Sequence, residues 1–105
     1  MLNDAIKGAR HTGQRIAWTR KDKSPVDLTD ATITARIKTV ETGQVWDSDG
    51  TFVVQTTVKM NEFTWAYGTV DIANASRFEV QFTAEYPDGT KEISYPHPWE
   101  VVDAF

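Results

Sequence analysis

A chain of 105 residues has the length of one domain and can bury well over half of its unfolded surface without covalent staples. It has no cysteine, which excludes disulfides, thiolate metal sites and cysteine nucleophiles, and no apolar run approaches the roughly 18 residues of a membrane span. The net charge of −4 is uneven: residues 1–23 carry six Lys or Arg against two Asp, while the rest carries five basic groups against thirteen acidic ones, a poor surface for nucleic acid.

Residues 1–14 hold Gly8 and Gly13 with little periodicity and read as an arm, flexible or ordered by a partner, ahead of a single domain at 15–105. In residues 15–20 Ile16 and Trp18 share one face of a first strand. An extended Pro25-Val26 lead-in and a bend at Asp27-Leu28-Thr29-Asp30 deliver a second, in which Ile33, Ala35 and Ile37 alternate with Thr32, Thr34, Arg36 and Lys38. A glycine turn at 41–44 leads to a short strand around Val45-Trp46, an Asp-rich bend at 47–50, and β-branched residues over 51–58. Phe63, Trp65 and Tyr67 then align on one face, and 70–76 suits a turn or one helical turn.

The clearest hairpin follows. Val80, Phe82, Ala84 and Tyr86 alternate with Glu79, Gln81, Thr83 and Glu85 up to Pro87-Asp88-Gly89, where proline presets φ, aspartate bonds its own backbone and glycine takes positive φ. The return run carries Lys91, Ile93 and Tyr95 on one face until Pro96 ends it or marks an edge. After an extended Pro96-His97-Pro98 crossing, Trp99 and Val101 face one way and Val102 the other. Seven or eight short strands at near-regular spacing predict an all-β antiparallel sandwich.

Chemistry is sparse along these strands. His11 and His97 have no adjacent Asp or Ser arrangement and read as surface histidines. Asp-Ser-Asp-Gly at 47–50 opens like an EF-hand loop, yet the twelfth position is Val58 where a bidentate Glu is required, so no metal site is expected. Glu79, Glu85 and Glu92 share the hairpin on what reads as its solvated side, where nothing separates their pKa values, so they read as solubility and edge protection. Neither a cofactor nor an enzymatic activity is expected. Lys7, Arg10 and Arg15 of the basic head are the candidate protein contacts, because no aromatic interleaving beyond Trp18 suits a nucleic acid arm. Four tryptophans raise a carbohydrate-binding alternative: Trp18, Trp65 and Trp99 fall in register with core positions, which leaves Trp46 and Tyr67 as a sugar platform.

The stretches Ser24 to Lys38, Phe63 to Tyr67 and Phe78 to Pro96, in this order and spacing, carry a resemblance. Over residues 15–102 the chain resembles a family of short bacteriophage proteins related to the N-terminal domain of the upper baseplate protein of lactococcal-type phages. It departs at Ala75-Ser76-Arg77, where members have a glycine before the aromatic, and no coiled coil follows the domain in this sequence. The resemblance implies an immunoglobulin-like β-sandwich of a virion tail or baseplate, made in the host cytoplasm, that performs no chemistry. Its expected partners are other tail proteins and further copies of itself, with no nucleic acid or membrane partner. Residues 1–14 are expected to bring Lys7 and Arg10 to acidic groups of a neighbour.

Overall fold

The computed structural model describes residues 2, 5–6, 14–20, 22–54 and 59–102, all in strands, turns or loops. Nine strands follow in chain order: β1 (Ala5–Ile6), β2 (Gln14–Ala17), β3 (Thr32–Thr39), β4 (Val45–Asp47), β5 (Thr51–Val54), β6 (Glu62–Ala66), β7 (Ser76–Glu85), β8 (Lys91–Ile93) and β9 (His97–Val102). The larger sheet runs β1-β9-β7-β3-β4, with β8 also on β7, and the smaller runs β2-β6-β5. All pairings are antiparallel except that of β1 with β9. Two packed, mainly antiparallel sheets of this strand order make an all-β sandwich.

Period-two alternation decides which side of each strand is dry. On β3, Ile33, Ala35 and Ile37 are buried while Thr32, Thr34, Arg36 and Lys38 face out, and β7 buries Phe78, Val80, Phe82 and Ala84 in the same way. The two strands pair in register from Thr32 opposite Glu85 to Thr39 opposite Phe78. The layers meet through rings: Phe63 of β6 meets Phe82 edge-on at 5.1 Å between centroids, and Trp65 meets Trp99 at 4.8 Å. Such pairs each add about 0.5–1.5 kcal/mol beyond burial.

Three turns use one device. In Asp22-Lys23-Ser24, Asp27-Leu28-Thr29 and Asp88-Gly89-Thr90, the aspartate accepts hydrogen bonds from both the N–H and the hydroxyl of the residue two positions on. The middle one is the bend expected after Pro25, and it brings Val26 and Leu28, both fully buried, under the sandwich. Residues 70–75 form turns rather than a helix.

The return side of the hairpin runs further than Pro96 suggests. Thr83 lies opposite Ile93 and Val80 opposite His97, so three residues, Ser94 to Pro96, face two, Phe82 and Gln81. That is a β-bulge, and β8 and β9 are one strand interrupted by it. Ser94 N–H donates to the Phe82 carbonyl, and the Ser94 hydroxyl accepts from the Phe82 N–H, both at 2.9 Å. The side chain thus supplies the acceptor the ladder loses, and Pro96, which has no N–H to offer, sits where no donor is needed.

At the other end of the sheet, Ala5 and Ile6 lie opposite Val101 and Val102. Leu2 and Ala5 are buried in the core of their own chain. Gln14 already belongs to β2, one residue before the boundary expected from sequence. Lys7, Arg10, His11 and the remaining residues of the expected arm lie outside the described residues.

Candidate functional site

The residues singled out from sequence occupy separate places. Arg15 is exposed on β2, opposite Thr64. Trp46, on the edge strand β4, is half-buried and stands edge-on to Phe78 at 5.5 Å. Tyr67 is half-buried too, with its ring against Trp65 at 4.9 Å and Trp99 at 5.4 Å and its hydroxyl accepting from Gln14 Nε2 at 2.7 Å. Phe78 and Trp99, themselves 5.7 Å apart, stand between the two. The pair needed for a flat sugar platform is therefore not brought together.

The carboxylates of the hairpin are distributed as structural partners. Glu85 faces Lys91 at 3.8 Å, and Glu79 lies opposite Lys38 in the β3–β7 register. Glu92 does not stand on the wet face. Its side chain is 30% exposed and takes a 2.7 Å hydrogen bond from Arg20, which keeps the guanidinium firmly charged. His97 is half-buried against Phe82, and burial lowers its pKa from the ordinary histidine value.

Two surface depressions stand out. One, of about 570 Å³, opens at the bulge between Trp18, Thr19, Arg20 and Asp22 on one side and Glu92–His97 on the other, with Ile93 and Tyr95 exposed on its rim. Its polar groups are engaged locally, with Arg20 paired to Glu92 and the Asp22 carboxylate accepting from Ser24. The other, of about 560 Å³, lies beside β4. Trp46, Phe78 and Val70 give it apolar surface, and Glu41, Asp47 and Asp49 give it negative charge with no Lys or Arg in its lining among the described residues. Among the described residues, the ion pair here is that of Asp47 with Arg36, at 3.5 Å on the outer face of the sheet.

Among the described residues the edge next to this groove is unpaired. Thr39 N–H donates to Gln44 and Ser48 N–H to Ala35, which phases the ladder so that Trp46 bonds to Ile37. Alternate residues of an antiparallel strand point their backbone groups to opposite sides, so Val45 and Asp47 turn their N–H and C=O outward. Among the described residues no strand covers them.

Behind the groove sits a buried carboxylate. Asp71 is 1% exposed; its Oδ2 accepts from the Ser48 hydroxyl at 2.7 Å and from Gly68 N–H at 2.8 Å. Ser48 Oγ in turn accepts from Gly50 N–H and from the indole N–H of Trp65. Burial raises the Asp71 pKa above the usual carboxylate range, against the pull of Ser48 and Gly68. The cluster joins the β4–β5 and β6–β7 connections at the point where Asp49, accepting from Val70 N–H at 3.2 Å, forms the groove wall. Neither glycine has room for a side chain: a Cβ on Gly68 would overlap Asp49, and one on Gly50 would meet the Ala66 carbonyl. From sequence Asp71 reads as part of a turn, because Gly68 is a local neighbour and Ser48 lies in a different connection, 23 residues away.

No protein-family model, curated protein or solved structure matches the chain. The class that its geometry defines is the all-β antiparallel sandwich.

Proposed function

We propose that the chain is a non-enzymatic structural module of a bacteriophage virion, in the tail or baseplate, acting through protein–protein contacts with other tail proteins and with copies of itself. The phage assignment rests on the order of the Ser24–Lys38, Phe63–Tyr67 and Phe78–Pro96 motifs. The observation that carries the contact reading is the β4 edge, which no strand among the described residues covers, beside a groove with apolar surface from Trp46, Phe78 and Val70 and carboxylates at Glu41, Asp47 and Asp49. Exposed strand edges are hazards that proteins blunt or use, and strand addition gains affinity from main-chain bonds and specificity from adjoining side chains. The outer face of the large sheet suits a solvated surface, since Arg36 faces Asp47 and Lys91 faces Glu85 across it. Mass spectrometry of density-purified particles induced from the source strain tests the assignment. The chain is expected there in fixed ratio to the other tail proteins, and its absence from intact particles defeats the reading.

A further inference from the structure

We infer that the groove beside β4 receives the basic stretch 7–13 of a second copy, joining opposite edges of successive molecules head to tail. This rests on the self-assembling part of the function proposed above and names the surfaces that carry it.

The receiving side is explicit. Among the described residues Glu41, Asp47 and Asp49 line the groove with no Lys or Arg in the lining, Asp47 being paired with Arg36 on the outer face of the sheet, while Trp46, Phe78 and Val70 supply apolar contact and the outward backbone groups of Val45 and Asp47 offer a ladder to an extended peptide. The supplying side follows from the sequence. Residues 7–13, Lys-Gly-Ala-Arg-His-Thr-Gly, contain two permanent cations and no acidic residue, in a chain whose remaining body is strongly negative. Their two glycines leave no large side chain to block close backbone approach.

Topology makes the contact intermolecular. The stretch is anchored at Ile6 on β1 and at Gln14 on β2, while β4 ends the large sheet on the side opposite β1. Four strand spacings of about 4.8 Å separate β1 from β4, roughly 19 Å. Seven residues fixed at both ends carry the backbone at most about 14 Å from its anchors, at about 3.5 Å per step. The second anchor is remote as well, because β2 ends the smaller sheet on the side away from β5, the strand that packs against β3 next to β4, so the backbone of 7–13 reaches a β4 edge on another copy rather than its own. A contact between two different patches repeats head to tail, closing into a ring or continuing as a filament.

Charge reversal on each side, followed by mixing, tests the pairing. Glu41→Arg with Asp47→Arg makes a copy with a basic groove, and Lys7→Glu with Arg10→Glu makes a copy with an acidic stretch. Light scattering of the full-length parent is expected to show assemblies that weaken as salt rises, since the Debye length falls from about 10 Å at 0.1 M to about 3 Å at 1 M. Each variant alone is expected to associate at least about tenfold more weakly while melting within a few degrees of the parent. A one-to-one mixture restores assembly, because each acidic stretch then meets a basic groove and each basic stretch an acidic one. A parent that is monomeric at every salt and protein concentration overturns the inference, as does a groove variant that assembles like the parent or a mixture that stays monomeric. Particle mass spectrometry is independent of these outcomes: a monomer found in virions ends the self-contact and leaves the virion role, and an assembling chain missing from virions does the reverse.

Discussion

Asp71 shows how a single buried side chain can set both the shape of a surface and the pH response of the fold. Its carboxyl is raised by burial, so the folded state takes up the proton more readily than the unfolded chain does. The corresponding stabilisation is complete below the unfolded pKa of about 4 and is lost as pH rises through the folded value. Asp22, Asp27 and Asp88 act in the opposite sense. Hydrogen bonds from the Ser or Thr two residues on lower their pKa, and that stabilisation is lost as pH falls through the folded values. Asp71→Asn retains an oxygen for Ser48 and Gly68 and cannot ionise, so urea midpoints of parent and variant should converge toward acid pH and separate above it, the parent being the weaker there. Parallel curves would mean that Asp71 titrates alike in both states. Asp71→Ala removes the acceptor from the Gly68 N–H and the Ser48 hydroxyl and should cost about 1–3 kcal/mol. Phe82, 1% exposed among Phe52, Phe63 and Trp65, should lose about 3–5 kcal/mol as alanine. Glu85→Ala removes only an exposed pair with Lys91 and should melt with the parent.

At the level of strands, β3, β6 and β7 are visible in the sequence because each buries one face and wets the other. Val80, Phe82 and Ala84 announce their side of the sheet by spacing alone. The continuation of β8 into β9 is hidden, because Pro96 reads as a stop and only Ser94 reveals that pairing resumes. Serine is a small polar residue in a run of large ones, and its hydroxyl replaces a backbone acceptor for the buried Phe82 N–H. Ser94→Ala should therefore cost about 1–3 kcal/mol although it deletes one oxygen, and Ser94→Thr should recover part of the loss; chemical denaturation of both variants measures it. Equal stability of parent and alanine variant would show that water serves Phe82 as well. The β4 groove was illegible for another reason. Trp46 and the Asp-rich bend stand out in the sequence, but Val70, Asn74 and Phe78 reach the same depression from beyond β5 and β6, so neither its apolar floor nor its acidic rim has a local pattern. Strand β1 has no signal either: two residues in a stretch without alternation form a strand only because β9 offers them a parallel edge.

Across the whole molecule, the described residues before Gln14 act as a closure of the sandwich seam. Ala5 is fully buried beside Val101, and Leu2 joins Ile16, Trp18, Phe63, Phe82 and His97 around a small, partly open recess of about 110 Å³. Burial is also what holds the His97 imidazole below its usual pKa, so neutral His97 stabilises the fold above about pH 6.5, and that contribution is lost as pH falls toward the folded value. Removing residues 1–6 would take away Leu2, uncover the outer edge of β9 and admit water to the imidazole. Loss of one buried leucine side chain costs about 2–5 kcal/mol, which in a domain of this size lowers Tm by an order of 10 °C. The shortened chain should remain folded, since β2 through β9 keep their partners. The His97 resonance, assigned by comparison with a His11→Gln variant, should titrate closer to the ordinary histidine value after the deletion. Leu2→Ala in the full chain should give a smaller loss of Tm and a smaller rise in the His97 pKa. If the deletion melts with the parent and His97 titrates unchanged, Leu2 and β1 do not seal the seam, and the burial of His97 must come from Phe82 and the bulge alone.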